Sequence, residues 1–171
     1  VIILNTNAGL WGYNIGDTIK FVNLNPFRLV VTGRIKHFTS AFGEHIIAEE
    51  VEKSLNLTLE KFQEEVSEVH LAPQVNPKNS LPYHEWFIEF GKDVKDLESF
   101  SVCLDENLQN LNSYYKDLIS GNVLRTLKIT PLKKDSFRNY MKSIGKLGGQ
   151  NKVPRLSNDR KIADELSKYK L

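Results

Sequence analysis

The hydrophobic period of the chain changes at Gly33, and that change limits the folds open to it. Before it, Val1-Ile-Ile-Leu, Thr18-Ile-Lys-Phe-Val and Arg28-Leu-Val-Val-Thr are short β-branched and aromatic runs separated by Asn, Gly and Pro, the pattern of a small β-meander. After it, Ile47, Val51 and Leu55 fall on one helical face, so a helix is expected to start near Glu44. Thr58 is expected to cap a second, short helix to Glu65, followed by an alternating strand from Val66 to Val75. Pro73 to Pro82 is turn-rich, and Tyr83 to Phe90 has the aromatic and β-branched content of a sheet strand. Leu104, Leu108, Leu111 and Tyr115 predict one long amphipathic helix from Leu97 to Ser120, closed by Gly121. A third strand over Val123 to Leu132, a helix over Asp135 to Ile144 and a last helix capped by Ser157 and running through Lys168 complete the reading. Helix, strand, strand, helix, strand, helix is the order of an α+β layer: a ferredoxin-like antiparallel sheet with helices on one face, preceded by the meander.

With 171 residues, 40% hydrophobic and 26% charged, the chain can bury one good core, and no apolar run reaches the roughly 18 residues of a membrane span. One cysteine, Cys103, excludes a disulfide or zinc framework and reads as a small buried residue. Cysteine poverty and the lack of a basic-then-apolar leader agree with a cytoplasmic protein. The chain opens inside an apolar run and its one methionine is Met141, so the expectation is a piece of a longer protein. A net charge of +2 hides an asymmetry: residues 1–115 hold 9 Lys/Arg against 16 Asp/Glu, and 116–171 hold 14 against 5. That basic half is either a solvated face or an anion site for phosphates or nucleic acid.

Three stretches carry chemistry. In Gly12-Tyr-Asn-Ile-Gly-Asp-Thr, Gly16 permits a tight turn and leaves Asp17 at a strand entrance. Turn chemistry alone accounts for this, yet a fixed carboxylate could also accept hydrogen bonds from both hydroxyls of a ribose. In Val31-Thr-Gly-Arg-Ile-Lys-His-Phe, Arg34 offers planar donors to a ribose or phosphate and Lys36 stands where backbone torsions could absorb a rotation. Both also fit a surface strand end. Lys146-Leu-Gly-Gly-Gln-Asn-Lys152-Val-Pro-Arg155 is a glycine-rich basic loop, either a flexible connector or a lysine that neutralises charge growing on a phosphate. It lacks the glycine and Lys-Ser/Thr spacing of a P-loop.

In this order, Tyr13-Asn-Ile-Gly-Asp17, Gly33-Arg-Ile-Lys36, Gly43-Glu-His-Ile-Ile-Ala-Glu-Glu-Val-Glu52 and Gly149-Gln-Asn-Lys152 resemble the C-terminal motif series of the acyl-adenylate-forming, firefly-luciferase-like superfamily. Leu24-Asn-Pro-Phe-Arg, Thr32-Gly-Arg-Ile-Lys-His-Phe and Lys146-Leu-Gly-Gly-Gln-Asn-Lys-Val-Pro-Arg-Leu-Ser-Asn-Asp-Arg-Lys are similar, more narrowly, to the auxin-responsive acyl acid amido synthetase family. The resemblance implies a ligase that uses ATP and Mg2+ to adenylate a small carboxylic acid and then passes the acyl group to an amino acid. By the same resemblance Asp17, Arg34 and Tyr13 bind nucleotide, Lys152 is catalytic, Lys36 is the hinge and Gly43 belongs to an acceptor-side loop. It also implies that residues 1–35 are a β-meander remnant of a large N-terminal domain, that 36–171 are a mobile C-terminal domain, and that the isolated piece is inactive. No metal ligand is assigned within the chain.

A different class of function is a non-catalytic basic module that binds RNA or an acidic partner through residues 116–171, with Tyr83, Trp86, Phe87 and Phe90 on its sheet. The Lys/Arg-Gly-Phe/Tyr-Gly/Ala-Phe strand motif of RNA-binding sheets is missing, which makes nucleic acid the weaker expectation.

Overall fold

The computed structural model describes residues 1–34, 38–148 and 151–171. Strands β1 (Ile3–Leu4) and β2 (Tyr13–Asn14) form one antiparallel pair, and β3 (Asp17–Leu24) and β4 (Phe27–Arg34) form a hairpin. Thr32 Oγ1 donates to Thr18 Oγ1 across the hairpin at 3.0 Å, and the Phe21 and Phe27 rings meet edge to face at 5.9 Å. The expected meander is therefore present as two short ladders. Its strands keep large apolar side chains in solvent, Phe27 being 76% exposed.

A short pair, β5 (Phe38–Thr39) with β6 (Ile46–Ile47), precedes helix α1 (Ala48–Phe62). Glu50 accepts the N–H of Ile47 at 3.0 Å, which satisfies one of the helix's leading donors. Sequence reasoning placed a new helix start at Thr58, but α1 runs straight through it. The Thr58 hydroxyl donates to the carbonyl of Ser54 at 2.8 Å, so the group that could have capped a second helix is used inside the first.

The main sheet has the order β7-β8-β9, formed by Val66–Gln74, Tyr83–Phe90 and Lys128–Leu132. β7 and β8 are antiparallel, whereas β9 runs parallel to β8. A parallel neighbour needs a crossover, supplied by α2 (Leu97–Leu111) and α3 (Ser113–Ser120). The single helix expected from Leu97 to Ser120 breaks at Asn112, whose side chain accepts the N–H of Tyr115 at 2.8 Å and caps α3. Helices α4 (Ser136–Ser143) and α5 (Lys161–Leu166) and a 3-10 turn (Ser167–Tyr169) follow. Ser157 does not cap α5, which starts four residues beyond it; the hydroxyl donates to the carbonyl of Asp159 at 2.6 Å.

The α+β class stands, and helices cover both faces of the sheet rather than one. The cause is β8, which is apolar in both phases of its pleat. Trp86 and Ile88, with Val69, Leu71 and Ile129, pack against Val51, Phe100, Leu104, Leu108 and Tyr115 of α1, α2 and α3. Phe87, with Ala72 and Leu132, packs against Phe137, Tyr140, Met141, Ala163 and Leu166 of α4 and α5. Cys103 is buried in α2 as a free thiol.

Glu85 and Glu89 share the face of Phe87 and are buried, yet each is satisfied. Glu85 accepts from Thr130 Oγ1 at 2.6 Å and from Arg160 Nη2 at 2.8 Å. Glu89 accepts the backbone N–H groups of Asp135 and Phe137 at 2.8 and 3.2 Å, so the first turn of α4 is capped from the sheet. Each edge is covered at one point: Leu156 bridges beside Leu71, and Lys170 beside Leu132.

Candidate functional site

The hairpin brings two of the expected nucleotide contacts together. Gly16, at φ +82°, makes the turn into β3, and its N–H donates to Asn14 Oδ1 at 2.8 Å. Asp17 opens β3, Arg34 ends β4, and the two are cross-strand partners. Seventeen positions apart in sequence, they become neighbours through register alone. Tyr13 lies in the adjoining β1-β2 pair and is half exposed. Lys36, the expected hinge, lies outside the described residues, as do Gly149 and Gln150 of the basic loop.

The turn between β5 and β6 carries Gly43, exposed and at φ +91°. Its neighbour Glu44 points the other way and is fully buried, 3.1 Å from Nε2 of the equally buried His84. Glu44 Oε2 also accepts the N–H of Phe42 at 2.8 Å. Burial works to raise the Glu44 carboxyl, but the nearby His84 imidazole and the N–H groups of Glu44 and Phe42 outweigh it and hold it below its ordinary range. The rings of Phe42 and Tyr115 each lie 5.6 Å from that of His84. Tyr115 donates in turn to Asp105 Oδ1 at 2.6 Å, and burial together with that carboxylate pushes its phenol well up.

Lys152 is exposed on its loop, between an exposed Asn151 and a buried Val153. The loop's C-terminal base is fastened to β7. His70 Nδ1 donates to the carbonyl of Pro154 at 2.8 Å, and its Nε2 lies 3.2 Å from Ser157 Oγ. Leu71 exchanges backbone bonds with Arg155 and Ser157 at 2.8 and 3.0 Å, while the Arg155 guanidinium pairs with Glu52 and Glu68. Just beyond, Asn158 Oδ1 accepts the N–H of Ser40 at 2.9 Å. The segment after the Lys152 loop is thus hydrogen-bonded to the turn that holds Gly43. Lys152 is thus exposed beside a segment that is hydrogen-bonded to β7.

Residues 48–161 match the family model for the GH3 family C-terminal domain. The chain belongs to the GH3 family. Among solved structures the GH3 chain is similar to a GH3.15 acyl acid amido synthetase, at 18% identity and a TM-score of 0.77, over 99% of this chain and 31% of that one. It is similar also to an AtGH3.15 acyl acid amido synthetase in complex with 2,4-DB, at 19% identity and a TM-score of 0.75, over 99% of this chain and 32% of that one. The chain thus spans about a third of the length of the structures it matches. No curated protein matches it. Lys152 falls within the GH3 match, whereas Asp17, Arg34 and Gly43 precede it.

Sequence reasoning missed four supporting residues of this GH3 domain: His84, His70, Asn158 and Glu89. Each acts on a partner at least 46 positions away except His84, which is 40 from Glu44. Glu44 did stand inside the recognised string Gly43-Glu-His. The aromatics of the rival reading are not a stacking platform: Trp86 and Phe87 are fully buried between helix layers and Tyr83 is 7% exposed. Among the described residues no group of three His, Cys, Asp or Glu is placed to hold a metal ion, and no helix is long and apolar enough to cross a membrane.

Proposed function

We propose that the chain is the C-terminal part of an ATP-dependent acyl acid amido synthetase, which adenylates a small carboxylic acid and transfers the acyl group to an amino acid in the cytoplasm. The observation that carries the reading is the GH3 C-terminal match across 48–161, which takes in the Lys152 loop. The likeness of the whole chain to acyl acid amido synthetase structures supports it. In this reading residues 1–35 belong with a preceding large domain, 36–171 form the mobile domain, and Lys36 is the hinge between the two half-reactions. Mg2+ would accompany ATP, with no ligand assigned to the residues of this chain.

Asp17 would accept hydrogen bonds from the ribose hydroxyls, and Arg34, its ladder partner, would donate to the ribose or phosphate, with Tyr13 beside them. Lys152 would approach the phosphate during adenylation and withdraw when the domain rotates, while the turn at Gly43 takes its place on the acceptor side. The full-length protein is expected to catalyse acid-dependent ATP–pyrophosphate exchange, and residues 1–171 alone are expected to catalyse none. Exchange by the isolated chain, or its absence from the full-length protein across a broad panel of carboxylic acids, would sink the proposal.

Asp17→Ala is expected to weaken binding of a non-hydrolysable acyl-AMP mimic to the full-length protein by about 1–3 kcal/mol, the worth of a charged hydrogen-bond acceptor. Calorimetry that finds no loss removes Asp17 from the nucleotide site.

A further inference from the structure

The turn that carries Gly43 also places one non-glycine residue in left-handed backbone. Gly43 at φ +91° and His45 at φ +50° flank Glu44, and His45 is a non-glycine residue in left-handed backbone. Such a residue persists only where its surroundings over-determine it. Here they do so from four directions. The Glu44 carboxylate folds inward, takes the N–H of Phe42 at 2.8 Å and pairs with His84 of β8 at 3.1 Å. Asn112, at the break between α2 and α3, donates to the Glu44 carbonyl at 3.0 Å and to Glu50 at 3.0 Å. The Phe42 ring closes over His84 on the same side. Upstream, Ser40 is held by Asn158.

A buried carboxylate–imidazole pair is a poor way to gain stability, because apolar side chains of similar volume usually serve as well or better. Its value here is directional. Drawing Glu44 into the core obliges Gly43 and His45 on either side of it to face outward, and both are exposed. The Phe38 ring lies 6.5 Å from that of His45 on the outer side.

We propose that Glu44 and His84 are positioning residues that present the Gly43–His45 turn for the amide-forming step. The proposal rests on the reading of Gly43 as part of an acceptor-side segment. Neither residue touches a reacting atom in it. Glu44 fixes the turn, and His84 fixes Glu44.

The test compares Glu44→Ala and Glu44→Gln in the full-length protein. Glutamine can still accept the Phe42 N–H and donate to an imidazole, so it keeps the tie and loses the charge. Glu44→Ala should leave acid-dependent pyrophosphate exchange within about twofold and lower amide formation at least tenfold, chiefly through a raised KM for the amino acid. Glu44→Gln should recover most of that loss. Hydrogen exchange at residues 40–46 should accelerate in the alanine variant and remain near the original rate in the glutamine one. Unaltered amide formation, or exchange and amide formation falling by the same factor, overturns the proposal, as does unchanged hydrogen exchange. If Glu44→Ala fails to fold, His84→Asn, too short to reach Glu44 but leaving its bond to Phe42, carries the same comparison. Unsubstituted protein without pyrophosphate exchange overturns the enzyme reading itself, whereas normal exchange with an unaffected amide step overturns the positioning role alone.

Discussion

Lys152→Ala in the full-length protein should lower the rate of acyl-AMP formation by about 10²- to 10³-fold, the usual cost of removing one preorganised group that meets developing charge. Binding of ATP should change far less, because neutralisation is needed chiefly in the transition state. The side chain is exposed, whereas the loop's fastenings belong to Val153, Pro154, Arg155 and Ser157. Its loss should therefore leave the melting temperature where it was. Single-turnover measurement of acyl-AMP alongside equilibrium ATP binding separates the two effects. An unchanged adenylation rate would remove Lys152 from the mechanism.

Acid should act on the same loop from below. His70 is buried, and burial lowers its pKa from 6.5 to about 4, with the nearby Arg160 acting in the same direction and the Pro154 carbonyl and Asp159 opposing. The unfolded chain takes up a proton near pH 6.5, and the folded chain only near pH 4. Between those values the unfolded state binds more protons, so stability is full above pH 6.5 and falls as pH drops through the window. The slope approaches about 1.4 kcal/mol per pH unit, for a total of roughly 3 kcal/mol. Chemical denaturation at pH 7 and at pH 4.5 should show this loss, and His70→Gln should show much less of it. Equal acid sensitivity in the two chains would contradict a neutral buried His70. Since His70 Nδ1 donates to Pro154, local opening at low pH should also free the base of the Lys152 loop.

What could be read in advance was whatever depends on neighbours along the chain. The aromatic and β-branched run of Tyr83 to Phe90 is a strand with the expected bounds, and α2 and α4 begin within a residue of where apolar spacing puts them, whereas α1 begins at Ala48 rather than near Glu44 because Ile46–Ile47 pair with β5 as a strand. Errors arose where one residue type serves two purposes. Threonine caps helices, which suggests a cap at Thr58, but its hydroxyl donates to the Ser54 carbonyl one turn back. The apolar spacing on either side of Asn112 continues as one helix, yet its amide both accepts from Tyr115 and donates to Glu44. Asp135 was expected to begin α4 as its acid, yet it adopts φ +63° and Glu89 supplies the carboxylate from another element. No local pattern contains such a partner. At the site, the order of motifs pointed to Asp17, Arg34 and Lys152, while the pairing of Asp17 with Arg34 required the register of the hairpin.

The bridges on the two edges of the sheet also bear on how the domain comes into being. β7 gains an outer neighbour from Leu156, 85 positions after Leu71, and β9 gains its own from Lys170, 38 positions after Leu132, so both margins of the sheet wait for residues made later in the chain. During synthesis the three strands can pair early, but their outer rows of N–H and C=O groups stay open to other nascent chains until that late segment arrives. The residues just after the lysine loop therefore serve twice: they steady the loop's base in the finished protein, and through Leu156 they give the first strand of the sheet an outer neighbour that the nascent chain lacks until they are made.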